Sequence, residues 1–188
     1  MRDFQVLKSC SLHSDSCFMR PAQELPSQVT LSDDALKVMT DLSRVSLVVA
    51  RPNASMETAN AKMIRYGVRM LVVLNSSDNV AGLITANDIL GEKPMRFIKN
   101  MGGTTADIMV SDLMTPQSEL EVISLEEVRQ AQVGQIVATL KKAGRQHGLV
   151  VEQLNGKQTV CGIFSTTQIA RQLGVDVKQM LAEVEAIQ

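Results

Sequence analysis

Between residues 31 and 174 the chain alternates short, densely apolar runs with stretches whose apolar positions recur at helical spacing, and it does so twice in the same order. In the first pass, Ser32, the acids Asp33 and Asp34, and then Ala35, Leu36, Val38 and Met39 predict a short capped helix. Residues 46–50 predict a strand, stopped at Arg51-Pro52. Residues 54–66 place Ala59, Met63 and Ile64 at helical spacing and end at Gly67, where a glycine closes a helix in the left-handed conformation. The run 69–74 predicts the next strand. A polar turn over 75–79 joins it to a strand over 80–84, so the two form a hairpin, and a helix over 86–90 follows.

The order then returns. Residues 93–109, containing Gly102-Gly103, predict a linker or hinge. After Val110-Ser111-Asp112-Leu113-Met114-Thr115-Pro116 come a strand near 121–124, a helix over 125–143 ended by Gly144, and a strand over 148–151. A turn at Asn155-Gly156, a strand over 159–164 and a helix from Thr166 complete the copy. Met39 and Met114, Gly67 and Gly144, and Gly82 and Gly162 keep a nearly constant offset, so the repeat is structural. The expected division is an irregular arm over 1–30, a first repeat over 31–92, the linker, a second repeat over 110–174 and a tail helix over 175–188. The tail places Val177, Met180, Leu181 and Val184 on one face, to dock on the body or on a partner chain.

Composition narrows the functional classes. Nineteen Lys+Arg against 20 Asp+Glu leave a formal charge of −1, so any anion site must be local, and neither nucleic acid nor a membrane is an expected partner. Aromatics are 3% with no Trp, which removes the stacking platforms of single-strand binders. No apolar run approaches the ~18 residues of a spanning helix, and the start lacks a signal-peptide core, so a soluble cytoplasmic protein is expected. Three cysteines are too few and too irregular for a disulfide framework. Cys10, His13 and Cys17 lack the fourth ligand that a zinc site wants. P-loop, Gly-x-Ser-x-Gly and His-Glu-x-x-His patterns are absent, and no enzyme is expected.

The chemistry concentrates in Gly82-Leu83-Ile84-Thr85-Ala86-Asn87-Asp88-Ile89 and its second version, Gly162-Ile163-Phe164-Ser165-Thr166-Thr167-Gln168-Ile169. Each reads as strand, cap, helix, with a glycine where something approaches the strand closely. Thr85 with Asp88, and Ser165 with Gln168, both fit a capping box, which needs no ligand.

These residues, with Asp112-Leu113-Met114-Thr115-Pro116 and Gly67-Val68-Arg69-Met70-Leu71-Val72-Val73, resemble tandem CBS domains, the family named after cystathionine β-synthase, paired as a Bateman module. The likeness runs from about Val38 to Gly174 and takes in no further catalytic or transport domain, as in stand-alone CBS pairs. It implies an α/β (α+β) fold, two β-α-β-β-α repeats packed about a pseudo-twofold axis, with clefts that bind AMP, ADP, ATP or S-adenosylmethionine. By that resemblance Asp88 bonds both ribose hydroxyls, Thr85 contacts ribose or phosphate with Asn87 beside it, and adenine slots between Val45, Ser46 and Leu47 and the strand start Arg69, Met70 and Leu71. A homodimer is implied as well.

In the second copy Gln168 replaces the Asp. An amide offers one accepting oxygen and no charge, a loss of about 1.5 to 3 kcal/mol. The second site, with Ser165, Gln168, Arg145, His147 and Arg171, is therefore expected to be weak or vacant. Arg69, Arg145, His147 and Arg171 are the cations nearest the clefts, as phosphate ligands or as plain surface charge. The expected function is a non-catalytic regulatory protein that binds an adenine nucleotide, needs no cofactor, and passes its state to an unidentified protein partner. The alternative is a nucleotide-independent dimerisation module with vestigial clefts.

Overall fold

The computed structural model describes residues 25–185; Cys10, His13 and Cys17 lie outside them, as does the Val184 side chain. After a single-turn helix at Ala35–Val38 come β1 (Thr40–Asp41), β2 (Val49–Ala50), α1 (Met56–Tyr66), β3 (Met70–Leu74), β4 (Val80–Thr85) and α2 (Ala86–Leu90). Then follow α3 (Lys93–Met101), α4 (Val110–Leu113), β5 (Thr115–Pro116), β6 (Val122–Ser124), α5 (Leu125–Gln130) and α6 (Val133–Lys142). The chain closes with β7 (His147–Leu154), β8 (Lys157–Ser165), α7 (Thr166–Leu173) and α8 (Val177–Glu185).

The strands make two sheets of the same design, ordered β2-β3-β4-β5 and β6-β7-β8-β1. In each, the first pair is parallel and the next two are antiparallel. Local chemistry sets the connections. The Ser55 hydroxyl accepts the Thr58 N–H to start α1, and Gly67, at φ 64°, ends it. The Asn75 side chain accepts the N–H groups of Ser77 and Asn79 in the first hairpin. Asn155 and Gly156, both at positive φ, form the second.

The last strand of each sheet comes from the other repeat. Thr40 and Asp41 pair with Ile163 and Gly162, while Thr115 and Pro116 pair with Leu83 and Gly82. The approach is close: a Cβ on Gly82 would lie 2.4 Å from the Thr115 carbonyl oxygen, and one on Gly162 would lie 2.5 Å from the Met39 sulfur. The exchange continues in the cores. Val29, Ala35, Val38 and Met39 pack among α5 to α8 and the second sheet, whereas Ile108, Val110 and Leu113 pack under α1, α2 and the first. A third apolar cluster, with Met70, Val72, Leu83 and Leu149 at its centre, joins the two sheets. The sheets therefore do not follow the repeat boundaries at 31–92 and 110–174.

Two predicted elements differ. The helix expected over 125–143 is broken, because the leading segment inserts its backbone there: Ala35 N–H donates to the Ala131 carbonyl, and Val133 and Gly134 N–H donate to Asp33 and Leu31. Lys93–Met101, expected as linker, is helical. Pro94 sits in its first turn, where a missing N–H costs nothing, and Phe97 and Ile98 pack on the first core. The tail helix docks on the body: Met180 is fully buried and the Lys141 ammonium donates to the Leu181 carbonyl at 2.7 Å. Of the arm, Val29 is docked by its N–H, which donates to the Gln172 carbonyl. Among the described residues no helix is long and apolar enough to cross a membrane, and no cluster of His, Cys, Asp and Glu could hold a metal.

Candidate functional site

Strand β4 ends on Thr85, opposite Met70, and the Ala86 N–H is anchored by the Arg69 carbonyl at 2.8 Å, so α2 must start here. Asp88 Oδ2 accepts from the Thr85 N–H and hydroxyl, both at 2.7 Å, and the Asp88 N–H donates to Thr85 Oγ1 at 3.3 Å. Asp88 Oδ1 faces the Lys93 ammonium at 2.6 Å, and Lys93 also donates to the Leu113 carbonyl at 2.9 Å. A carboxylate offers about four lone-pair sites. Three are engaged, so Asp88 has room for one further hydroxyl, and for a second only where Lys93 moves aside.

The other copy is built differently. Ser165 accepts no helix N–H, and Gln168 completes no box, contrary to the capping pattern read from the sequence. The α7 start is held by the Thr166 N–H, which donates to the Gln146 carbonyl.

Two clefts open between the sheets, and each crosses the repeats. One, about 340 Å³, joins Thr85, Asn87 and Asp88 to Leu120, Glu121, Gly144, Arg145, Gln146 and His147. The other, about 360 Å³, joins Val45, Ser46, Leu47, Arg69 and Met70 to Ser165, Thr167, Gln168 and Arg171, with His147 again on its wall. The residues expected beside Asp88 are thus in the opposite cleft, and Arg145 and His147, assigned to the weak site, stand with Asp88. The physical reason is the face-to-face packing of the sheets, which sets the helix start of one repeat against the strand starts of the other. Leu71 lines neither cleft and is fully buried in the first core. Leu120, Glu121 and Thr40 were missed; the repeat itself carried the signal, since 120–121 precede β6 as 47–48 precede β2.

His147 begins β7 opposite Ser165, in the register Met70 holds opposite Thr85. Burial and the neighbouring Arg69 charge hold its imidazole down to about 4, against the opposing pull of Asp88. It is neutral at pH 7, and its Nδ1 is buried without a hydrogen-bond partner. Arg145 is partly committed, since its guanidinium donates to the Glu119 carbonyl.

Residues 37–94 match the family model of the CBS domain. No curated protein sequence matches the chain. Among solved structures, a CBS-domain protein of Agrobacterium tumefaciens is 20% identical with a TM-score of 0.53, over 70% of this chain and 88% of that one. CBSX2, a CBS-pair protein of Arabidopsis thaliana solved in complex with AMP, is 20% identical with a TM-score of 0.50, over 83% and 99%. The CBS domain pair of MJ0100, in complex with 5′-methylthioadenosine and S-adenosyl-L-methionine, is 18% identical with a TM-score of 0.52, over 78% and 97%. The fold is that of a tandem CBS pair, and residues 37–94 of the chain match the CBS-domain family model.

Proposed function

We propose that the chain is a non-catalytic regulatory module that binds an adenine nucleoside or nucleotide in the cleft beside Asp88. The carrying observation is the half-buried Asp88 carboxylate, fixed by its cap and held with one open lone pair at the mouth of a cleft of small-ligand size. The AMP and S-adenosylmethionine named with two proteins of the same fold support the ligand class. Ribose carries a vicinal diol. One hydroxyl fills the open site on Asp88, and the second replaces Lys93. Lys93 begins α3 and pins it to Leu113, so the exchange loosens α3 from the body and gives a partner protein something to read. The ligand shifts that equilibrium only by as much as it prefers the loosened state.

The module is a homodimer in this reading, through the helical face of the first half. There Ile64, Tyr66, Leu90 and Met95 are exposed, whereas α8 covers the matching face of the second half.

Titration calorimetry with adenosine and AMP on the wild type and Asp88→Ala tests the binding. Removing the charged acceptor costs about 1.5 to 3 kcal/mol, roughly ten- to a hundredfold in affinity. Absence of heat with either ligand, or equal affinities for the two proteins, overturns the reading.

A further inference from the structure

We propose that His147 couples the two clefts: a ligand in the Asp88 cleft turns its ring, and the turn reaches the start of α7 in the other cleft. The choice of ligand rests on the adenine reading of the Asp88 cleft.

Among the described residues, His147 is the only one that lines both clefts. Met70, its counterpart in the first half, lines one of them. The two side chains also differ in what they need. A thioether needs no hydrogen bond, whereas the buried Nδ1 of His147 has no partner where an imidazole nitrogen calls for one. No bond at that atom holds the ring, so turning it breaks nothing there. The ring also stands in a field with two different sides. Asp88 and Glu121 line one cleft together with Arg145, whose guanidinium donates to the Glu119 carbonyl. Arg69 and Arg171 line the other, and none of its lining residues is acidic. The ring is neutral at pH 7 and acts as a dipole in that field. A ligand that covers Asp88 changes the field on one side only.

The route onward is short. His147 pairs with Ser165 across β7 and β8, and the carbonyl of its neighbour Gln146 accepts the Thr166 N–H at 2.9 Å. Ser165 caps no helix N–H, so the α7 start rests on that bond. In the first half the Arg69 carbonyl holds the Ala86 N–H in the same way, but there Thr85 and Asp88 close a full capping box as well. The α7 start is the less secured of the two, and a shift at residues 146–147 moves it. Thr167, Gln168 and Arg171 of α7 carry that movement into the second cleft, which they line. The coupling is as large as the ligand's preference for one ring position over the other.

The test is NMR of the full chain labelled with 15N and titrated with adenosine. The chain has two histidines, His13 and His147, so its ring signals are few. In the wild type, adenosine should shift the His147 ring resonances, the amides beside Asp88, and the amides of Thr167, Gln168 and Arg171. Asp88→Ala, at the adenosine concentration that saturates the wild type, should weaken all three together. His147→Met, brought to its own saturation, should keep the shifts beside Asp88 and lose more than half of those in α7. Shifts in α7 that persist in Asp88→Ala while those beside residue 88 fall mean that adenosine enters the second cleft itself, and they overturn the proposal. It is equally overturned by α7 shifts that survive in His147→Met, or by a His147 ring that adenosine leaves unchanged. Loss of adenosine binding by His147→Met also overturns it, because His147 is then a ligand residue and no coupler. Absence of any shift sinks the adenine reading and the coupling together, whereas shifts confined to the Asp88 cleft sink the coupling alone.

Discussion

His147 shows how one residue inherits its properties from the repeat. It takes the place that Met70 fills in the first half, so a titratable ring occupies a position shaped for a buried thioether, between the two clefts. Its proton affinity is lowered to about 4 in the folded chain, against 6.5 for the free side chain. The unfolded chain thus binds the extra proton between those values, and stability is full above about 6.5 and lost as pH falls toward 4. The whole effect is on the order of 3 kcal/mol at about 1.4 kcal/mol per unit. His147→Met copies the residue of the other half and removes the titration. Urea unfolding at pH 7.5, 5.5 and 4.5 should show the wild type losing stability relative to the variant as acid is added; parallel curves would rule this out. The sequence exposed His147 as a cation near a cleft but not its burial, because that depends on the opposing sheet.

At the scale of elements, legibility followed the range of the interaction. The hairpins, the Gly67 and Gly144 caps and the Thr85–Asp88 box depend on neighbours within a few residues, and the repeat pattern revealed them. The break between α5 and α6 depends on carbonyls of Leu31 and Asp33, roughly a hundred positions away in the chain, and periodicity had no means of registering it. The same holds for the pairing of clefts: Val45, Ser46, Leu47, Arg69 and Met70, expected beside Asp88, line the other cleft, because that pairing depends on how the two sheets face each other. Helix α3 was hidden because Gly102-Gly103 marked all of 93–109 as linker, although Pro94 suits a first turn. Its neighbours supply the element-scale prediction. The apolar residues Ile64 on α1 and Leu90 on α2 are 73% and 69% exposed, on the face proposed for the dimer. Light scattering should find a dimer for the wild type and a monomer for Ile64→Lys/Leu90→Lys with unchanged circular dichroism. A monomeric wild type, or a variant that stays dimeric, would exclude this face.

Across the whole molecule the exchanged strands decide what can fold alone. The sequence repeat suggests 31–92 as a unit, but that piece carries β1, whose partner β8 is absent, and lacks β5 and α4. It also lacks Ile108, Val110 and Leu113, which are 0 to 1% exposed in the first core. Emptying large apolar sites in a core costs about 2 to 5 kcal/mol each, against a total stability of only ~5 to 15 kcal/mol for a domain. Residues 42–116 contain β2 to β5 with α1 to α4, and so the complete first sheet and its core. The fragment 42–116 should therefore melt cooperatively by circular dichroism and give dispersed amide resonances, whereas 31–92 should do neither, though it matches the repeat more closely. Equal behaviour of the two fragments would mean that the exchanged segments are accessory. The expected difference also bears on regulation. Each half holds its partner's leading segment, and Lys93 and Leu113 tie α3 to the segment that ends in β5. A ligand that moves Lys93 therefore acts on the joint between the halves, and a change in one cleft reaches the sheet that walls the other.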